Sequence, residues 1–181
     1  MSDPVVIVPY NAEWPQLFRE IGERLRTSLG GTAIRIDHIG STSIPGLDAK
    51  PVIDIQVSVA QLKPLDSIIT AMEATGYRYR ADNPDLTKAY FREMPGGRRT
   101  HIHVRRAGSW PEQTALMFRD YLRLHPDDAA AYAEEKRRLA ERYRDNRGAY
   151  VDAKDPIIWT IIHKAALWSQ RTGWLPGPSD G

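Results

Sequence analysis

A run of eight alternating residues, Val52 to Val59 (VIDIQVSV), constrains this chain more than any other stretch. Side chains alternate across a strand, so Ile53, Ile55, Val57 and Val59 share one face. Asp54, Gln56 and Ser58 share the other with Val52. The first face demands a packed core. The second carries a carboxylate in mid-strand, which is costly there unless something pairs with it or uses it. That face therefore lines either solvent or a cleft. Ala33 to Ile39 alternates in the same way, with Ile34, Ile36 and His38 opposite Arg35, Asp37 and Ile39. Gly40 to Ala49, between the two strands, is turn chemistry built from small residues.

The flanking segments give the rest of a mixed α/β unit. Val5 to Val8, closed by Pro9, reads as an edge or entry strand. Asn11 caps a helix in which Trp14, Phe18, Ile21 and Leu25 recur at helical spacing, and Gly30-Gly31 stops it. Pro64 opens a second helix that ends at Gly76, and Tyr77 to Arg80 is a short strand. Lys88 to Met94 and Arg99 to Arg106 form a hairpin around Pro95-Gly96-Gly97. In its second arm Thr100, Ile102 and Val104 face one way and His101, His103 and Arg105 the other. From Trp110 the chain turns helical: one helix stops before Pro126, another carries Tyr132, Lys136, Leu139 and Tyr143 in a row, and a last one starts at Asp155-Pro156. Helical spacing assigns Trp14, Trp159 and Trp168 to core.

The expected organisation is one domain over residues 1–172, with a mixed α/β part to 107 and a helical part over 108–172. Residues 173–181, rich in Pro and Gly, read as a flexible tail. At 181 residues the chain is long enough for a substantial core. The absence of cysteine excludes thiolate chemistry, and a net charge of +2 gives no case for nucleic-acid binding. No apolar run suits a membrane span or a leader, so a cytoplasmic protein is expected. P-loop, HExxH, nucleophile-elbow and GxGxxG motifs are all missing.

The chemistry concentrates at a few positions. A Gly-Ser turn directly after a strand, here Gly40-Ser41, presents backbone N–H groups and a hydroxyl to a phosphate. Asp54 on the next strand suits a Mg²⁺ ion that also binds phosphate oxygens. The plainer alternative is a tight turn beside a hydrogen-bonded aspartate. His101 and His103 on one strand face form a metal half-site or a hydrogen-bonded pair. Lys50 stands at the mouth of the Asp54 strand. Lys136, on an otherwise packing face, either snorkels to water or reaches a buried anion. Lys154 stands one turn after Tyr150. Arg119-Asp120 reads as a pair that orients helices, and Arg98, Arg99, Arg105 and Arg106 cluster around the hairpin.

Several blocks carry a resemblance: PYNAEWPQLF, HIGSTSIPGLDAKPVIDIQV, THIHV, FRDYLRLHPDDAAAYAEEKRRLA, and Tyr150 with Lys154. They lie in order across about residues 8–165. The chain resembles the GrpB-like branch of the nucleotidyltransferase superfamily related to polymerase β. The resemblance implies an α+β fold, with a nucleotidyltransferase-like mixed sheet, flanking helices and a C-terminal helical layer. It also implies metal-dependent transfer of a nucleotidyl group from an NTP to a small acceptor. Gly40, Ser41, Lys50, Lys136 and Lys154 would then bind phosphate. Asp54, Gln56, His101 and His103 would hold a divalent metal, Mg²⁺ or Mn²⁺ with Zn²⁺ as an alternative, and Asp54 and His103 would be catalytic.

The superfamily pattern asks for two carboxylates two residues apart and a third on a neighbouring strand. Here Gln56 stands in the second slot, and THIHV offers histidine in place of the third. The alternative is therefore a non-catalytic module that binds a nucleotide or another phosphorylated small molecule. It would connect to coenzyme A metabolism, because GrpB-like domains also occur fused to dephospho-coenzyme A kinase. A metallohydrolase built on Asp54, His101 and His103 is a third reading.

Overall fold

A computed structural model describes residues 4–181. Five strands form one sheet in the order β1-β2-β5-β4-β3. They are β1 (Arg35–Ile39), β2 (Ile53–Val59), β3 (Tyr77–Tyr79), β4 (Lys88–Glu93) and β5 (Thr100–Arg106). The sheet is antiparallel except where β2 and β5 run parallel at its centre. That pair is joined through α2 (Asp66–Ala74), β3 and β4.

One sheet face is apolar because the alternation demands it. Ile53, Ile55, Val57 and Val59 of β2 bury with Ile102 and Val104 of β5 and Phe91 of β4. Against them pack α1 (Trp14–Leu29), through Trp14, Phe18, Ile21 and Leu25, and α2, through Ile68 and Met72. Each such side chain contributes roughly 1.5–3 kcal/mol by leaving water. His38 belongs to this face too: its ring stacks on Phe18 and bonds the Thr42 hydroxyl at 3.0 Å. Burial pushes its pKa down to about 3, so the ring is neutral at pH 7.

The opposite, polar face is covered by α3 (Trp110–Leu124), α4 (Pro126–Arg142), α5 (Arg147–Ala153) and α6 (Asp155–Thr172). A second apolar cluster, which includes Ile44, Leu47, Leu122, Ala133 and Ile161, joins these helices to the turn after β1. Toward the far end of β2 the polar face is sealed. There Ser58 Oγ donates to Glu112 Oε1 at 2.7 Å, and Gln56 Nε2 donates to the Glu112 carbonyl at 3.1 Å. Arg119 of α3, buried, donates to the His38 carbonyl at 3.2 Å and to Asp180 at 2.6 Å, with Asp37 at 3.6 Å. It also bonds Asp120 at 2.8 Å, so the expected helix-orienting pair reaches the sheet as well.

Several expectations are corrected. The tail is docked rather than loose: Ser179 Oγ pairs with both backbone groups of Ile36, and Asp180 accepts from His38 N–H at 3.0 Å. Gly181 N–H donates to the Ile36 carbonyl, and Trp174 bonds Asp120. This segment covers the open edge of β1, where unpaired ladder groups would otherwise face outward. The entry strand reduces to one bridge between Val8 and Ala49, while Val5 packs against Leu139 and Tyr150. Helix α5 is a short element that the hydrophobic spacing does not announce. The expected start of the domain, residues 1–3, lies outside the described residues. No helix among the described residues is long and apolar enough to cross a membrane.

Candidate functional site

Near the start of β2 the polar face opens into a cavity of about 930 Å³ between the sheet and the C-terminal helices. Asp54, His101 and His103 stand on its sheet wall. The parallel register sets Asp54 opposite His101 and Gln56 opposite His103, so the alternation of both strands brings one carboxylate and two rings together. His101 Nδ1 lies 3.0 Å from Asp54 Oδ1, and His103 Nε2 lies 3.8 Å from the same oxygen. One ligand atom from each of the three residues falls within 4.8 Å of the other two.

The electrostatics suit a cation. Burial acts to raise the Asp54 pKa, but the hydrogen bond from His101 and the nearby His103 ring outweigh it and hold the carboxylate below its usual range. Burial also pushes His103 down to about 4, leaving a neutral ring at pH 7. An ionised carboxylate and a neutral imidazole are the forms that ligate metals. His101 Nε2 and His103 Nδ1 are buried and have no hydrogen-bond partner among the described residues. One oxygen and two imidazole nitrogens fit Mn²⁺, Zn²⁺ or Fe²⁺ better than Mg²⁺, which prefers oxygen donors.

Gln56 is a correction. Its Oε1 accepts from Arg105 Nη1 at 2.6 Å and its Nε2 donates to the Glu112 carbonyl, so both amide atoms are engaged away from the three-residue cluster. It is fully buried and does not line the cavity. The residue in the second carboxylate slot is structural here.

Gly40 is needed for a reason the sequence did not disclose. Its φ is +69°, and a Cβ there would lie 2.7 Å from Asp54 Oδ2 and 2.9 Å from the Asp54 Cβ. The glycine makes room for the aspartate itself. Gly40→Ala is expected to cost about 1–3 kcal/mol in backbone strain and to push the carboxylate off His101. Chemical denaturation would show the loss of stability, and metal titration would show weakened binding. Unchanged values for both would contradict this reading. The turn is pinned by Thr42, whose hydroxyl donates to the Val52 carbonyl at 3.0 Å. Burial raises the pKa of the Tyr132 phenol to about 12, and the Ser41 side chain beside it acts in the opposite direction.

The three lysines singled out in the sequence all line the cavity. Lys50 and Lys154 lie over the Tyr150 ring, at 5.2 Å and 4.8 Å from its centroid. Lys136 lies 4.6 Å from the Tyr132 centroid and donates to the Asp48 carbonyl at 2.5 Å. None of the three has a carboxylate partner among the described residues. Burial, reinforced by the charge of Lys154, lowers Lys136 to about 7 and Lys50 to about 8. Lys154 is lowered by burial as well.

The cavity wall also holds Lys88 and Arg105, together with Trp110 and Trp159. Lys88 reaches it because β4 pairs Lys88 with Arg105, a long-range register that local spacing does not reveal. The basic hairpin cluster divides: Arg105 enters the cavity and Arg99 lies 3.4 Å from Glu93, while Arg98 and Arg106 are exposed. Of the tryptophans assigned to core, Trp14 is buried and Trp168 packs on the second apolar cluster. Trp159 is 56% exposed on the cavity rim, contrary to the expectation from its spacing.

The fold is α+β, a mixed five-stranded sheet of nucleotidyltransferase-like form with helices on both faces and a helical C-terminal layer over its polar side. The chain belongs to the GrpB family: the family model described as GrpB protein matches residues 4–164. A crystal structure of conserved protein GrpB from Enterococcus faecalis superposes with a TM-score of 0.82 at 32% identity, covering 90% of this chain and 99% of that one. A UPF0157 protein of Pseudomonas aeruginosa is 38% identical over 168 residues, 91% of this chain and 69% of its own length. A protein of Mycolicibacterium paratuberculosis named dephospho-CoA kinase is 35% identical over 199 residues, 96% of this chain. This chain spans 49% of that kinase, and 48% of a Bacillus subtilis UPF0157 protein.

Proposed function

We propose that this protein is a metal-dependent nucleotidyltransferase acting on an NTP and a small hydroxyl-bearing acceptor. The carrying observation is one cavity that joins the Asp54–His101–His103 cluster to three lysines with no carboxylate partner among the described residues. Asp54, His101 and His103 hold a single divalent ion. When bound, the ion polarises the phosphate and lowers the pKa of the attacking hydroxyl. Ser41 and the Gly40 backbone hold phosphate oxygens, and Lys50, Lys136 and Lys154 offset their charge. The acceptor oxygen bonds to the α-phosphorus, the bond to the pyrophosphate oxygen breaks, and the hydroxyl proton leaves to water. Asp54-dependent movement of label from α-³²P NTPs into an acceptor pool, with Mn²⁺ present, tests this. Label that never moves, or moves equally in Asp54→Asn, rejects it.

The lysines give this reading a pH signature. Lys136 and Lys50 have folded-state pKa values of about 7 and about 8, below the ordinary lysine value. The free protein at pH 8 is therefore partly deprotonated at both, and a bound triphosphate, which favours the charged forms, draws protons in. Affinity is highest below pH 7 and falls as pH rises through 7 to 8. Calorimetry of ATP binding at pH 8 in two buffers of different ionisation enthalpy should report net proton uptake that falls in Lys136→Met and is abolished when Lys50→Met is added. Uptake of zero in the wild type would contradict the assignment.

A second reading has its own support. The single carboxylate, with Gln56 occupied by Arg105, leaves less charge than two-metal phosphoryl transfer uses. A module that binds a phosphorylated metabolite without turnover fits that site. The similarity to proteins named dephospho-CoA kinase connects this version to coenzyme A metabolism. Tight binding of a nucleotide or of dephospho-coenzyme A with no label transfer favours it.

A further inference from the structure

Trp110, the first residue of α3, and Trp159 of α6 are 64% and 56% exposed. Their rings lie nearly parallel, with centroids 6.2 Å apart and planes inclined by 21°. Both line the cavity that holds the lysines and the Asp54 cluster, and Pro111, Ile158 and Ile162 extend their apolar wall. Large aromatic faces left half in water are uncompensated hydrophobic surface. Here that surface and the cationic surface belong to one cavity of about 930 Å³, a size typical of small-molecule sites.

We infer that the Trp110–Trp159 pair is the nucleobase platform of this site: the base of a nucleotide stacks on the outer face of the pair while its phosphates meet Lys50, Lys136 and Lys154. The inference rests on the phosphate-binding reading above and adds to it the planar, aromatic end of the ligand. The two rings already contact one another, so the base lies against the pair rather than between its members. A ligand with an anionic end and a planar aromatic end complements both surfaces at once. Stacking on an aromatic face discriminates weakly among bases, because each presents a π face. The four common nucleoside triphosphates should therefore bind within a few-fold of one another, with purines tighter by virtue of their larger area.

The test is tryptophan-emission and calorimetric titration with ATP, GTP, CTP and UTP and with inorganic tripolyphosphate, all with Mn²⁺. The proteins are the wild type, Trp110→Ala, Trp159→Ala and Trp159→Phe. Both positions are exposed, so the variants should keep the fold. The expected result is that ATP binds the wild type more tightly than tripolyphosphate. Either alanine variant should lose ATP affinity by on the order of 5- to 150-fold, Trp159→Phe should recover most of it, and tripolyphosphate affinity should not change. Equal affinity for ATP in all four proteins, with tripolyphosphate binding as well as ATP, overturns the platform and leaves the phosphate site standing. Binding of neither ATP nor tripolyphosphate to the wild type rejects both. Concentration-dependent self-association that Trp159→Ala abolishes without changing ATP affinity also overturns it, since the pair would then be a contact between copies of the chain.

Discussion

Arg119→Met should destabilise the fold by about 3–5 kcal/mol, the cost of breaking a buried charge cluster from one side. The guanidinium is 3% exposed and Asp37 is fully buried. Its loss strips the His38 carbonyl and Asp180 of a donor and leaves Asp37, among the described residues, with the Arg35 side chain 2.9 Å away. Methionine fills much of the volume, so the deficit is electrostatic rather than a cavity. Urea denaturation should show a lower midpoint with an unchanged slope. A loss under about 1 kcal/mol would mean that α3 and the docked tail are held mainly by apolar contacts.

Asp54→Asn should reduce divalent-metal affinity on the order of 100-fold or more, since replacing even an outer-sphere partner typically costs 10–100-fold. Nucleotidyl transfer should fall with it. The amide is nearly isosteric and can still accept from His101, so the folded structure survives and the effect is read on metal. His101→Ala should weaken metal binding in the same direction, whereas Gln56→Glu should not strengthen it. The carboxylate in that last variant would pair with Arg105, which already holds the Gln56 oxygen at 2.6 Å. Tighter metal binding in Gln56→Glu would show that position 56 retains access to the cluster.

The sequence made the site legible where period-two alternation decides geometry. The faces of β2 and β5 were readable, and so was the placement of Asp54 with His101 and His103 on polar faces. The fact that those two faces are one face depends on parallel pairing across a forty-residue excursion, which spacing alone does not encode. Gln56 shares the polar parity, which by alternation alone suits a ligand. Its fate is decided by Arg105 and by α3 closing over it, both non-local. Trp159 obeys core spacing because a helix face toward an apolar-walled cavity carries the same periodicity as one toward a core. The tail has the composition of a loose end, yet Ser179 and Asp180 find the free edge of β1. For lysines 50, 136 and 154 the sequence supplied candidates, and the fold supplied their shared cavity.

The central claim is that Asp54, His101 and His103 hold a metal that also contacts the nucleotide's phosphates. Pulsed electron–nuclear double resonance on the wild-type protein with one equivalent of Mn²⁺ and ATP tests it most directly. The account predicts ¹⁴N couplings from two imidazoles and ³¹P coupling from the nucleotide on the same ion. Phosphorus coupling without nitrogen, or a Mn²⁺ signal no different from Mn-ATP in buffer, would contradict it.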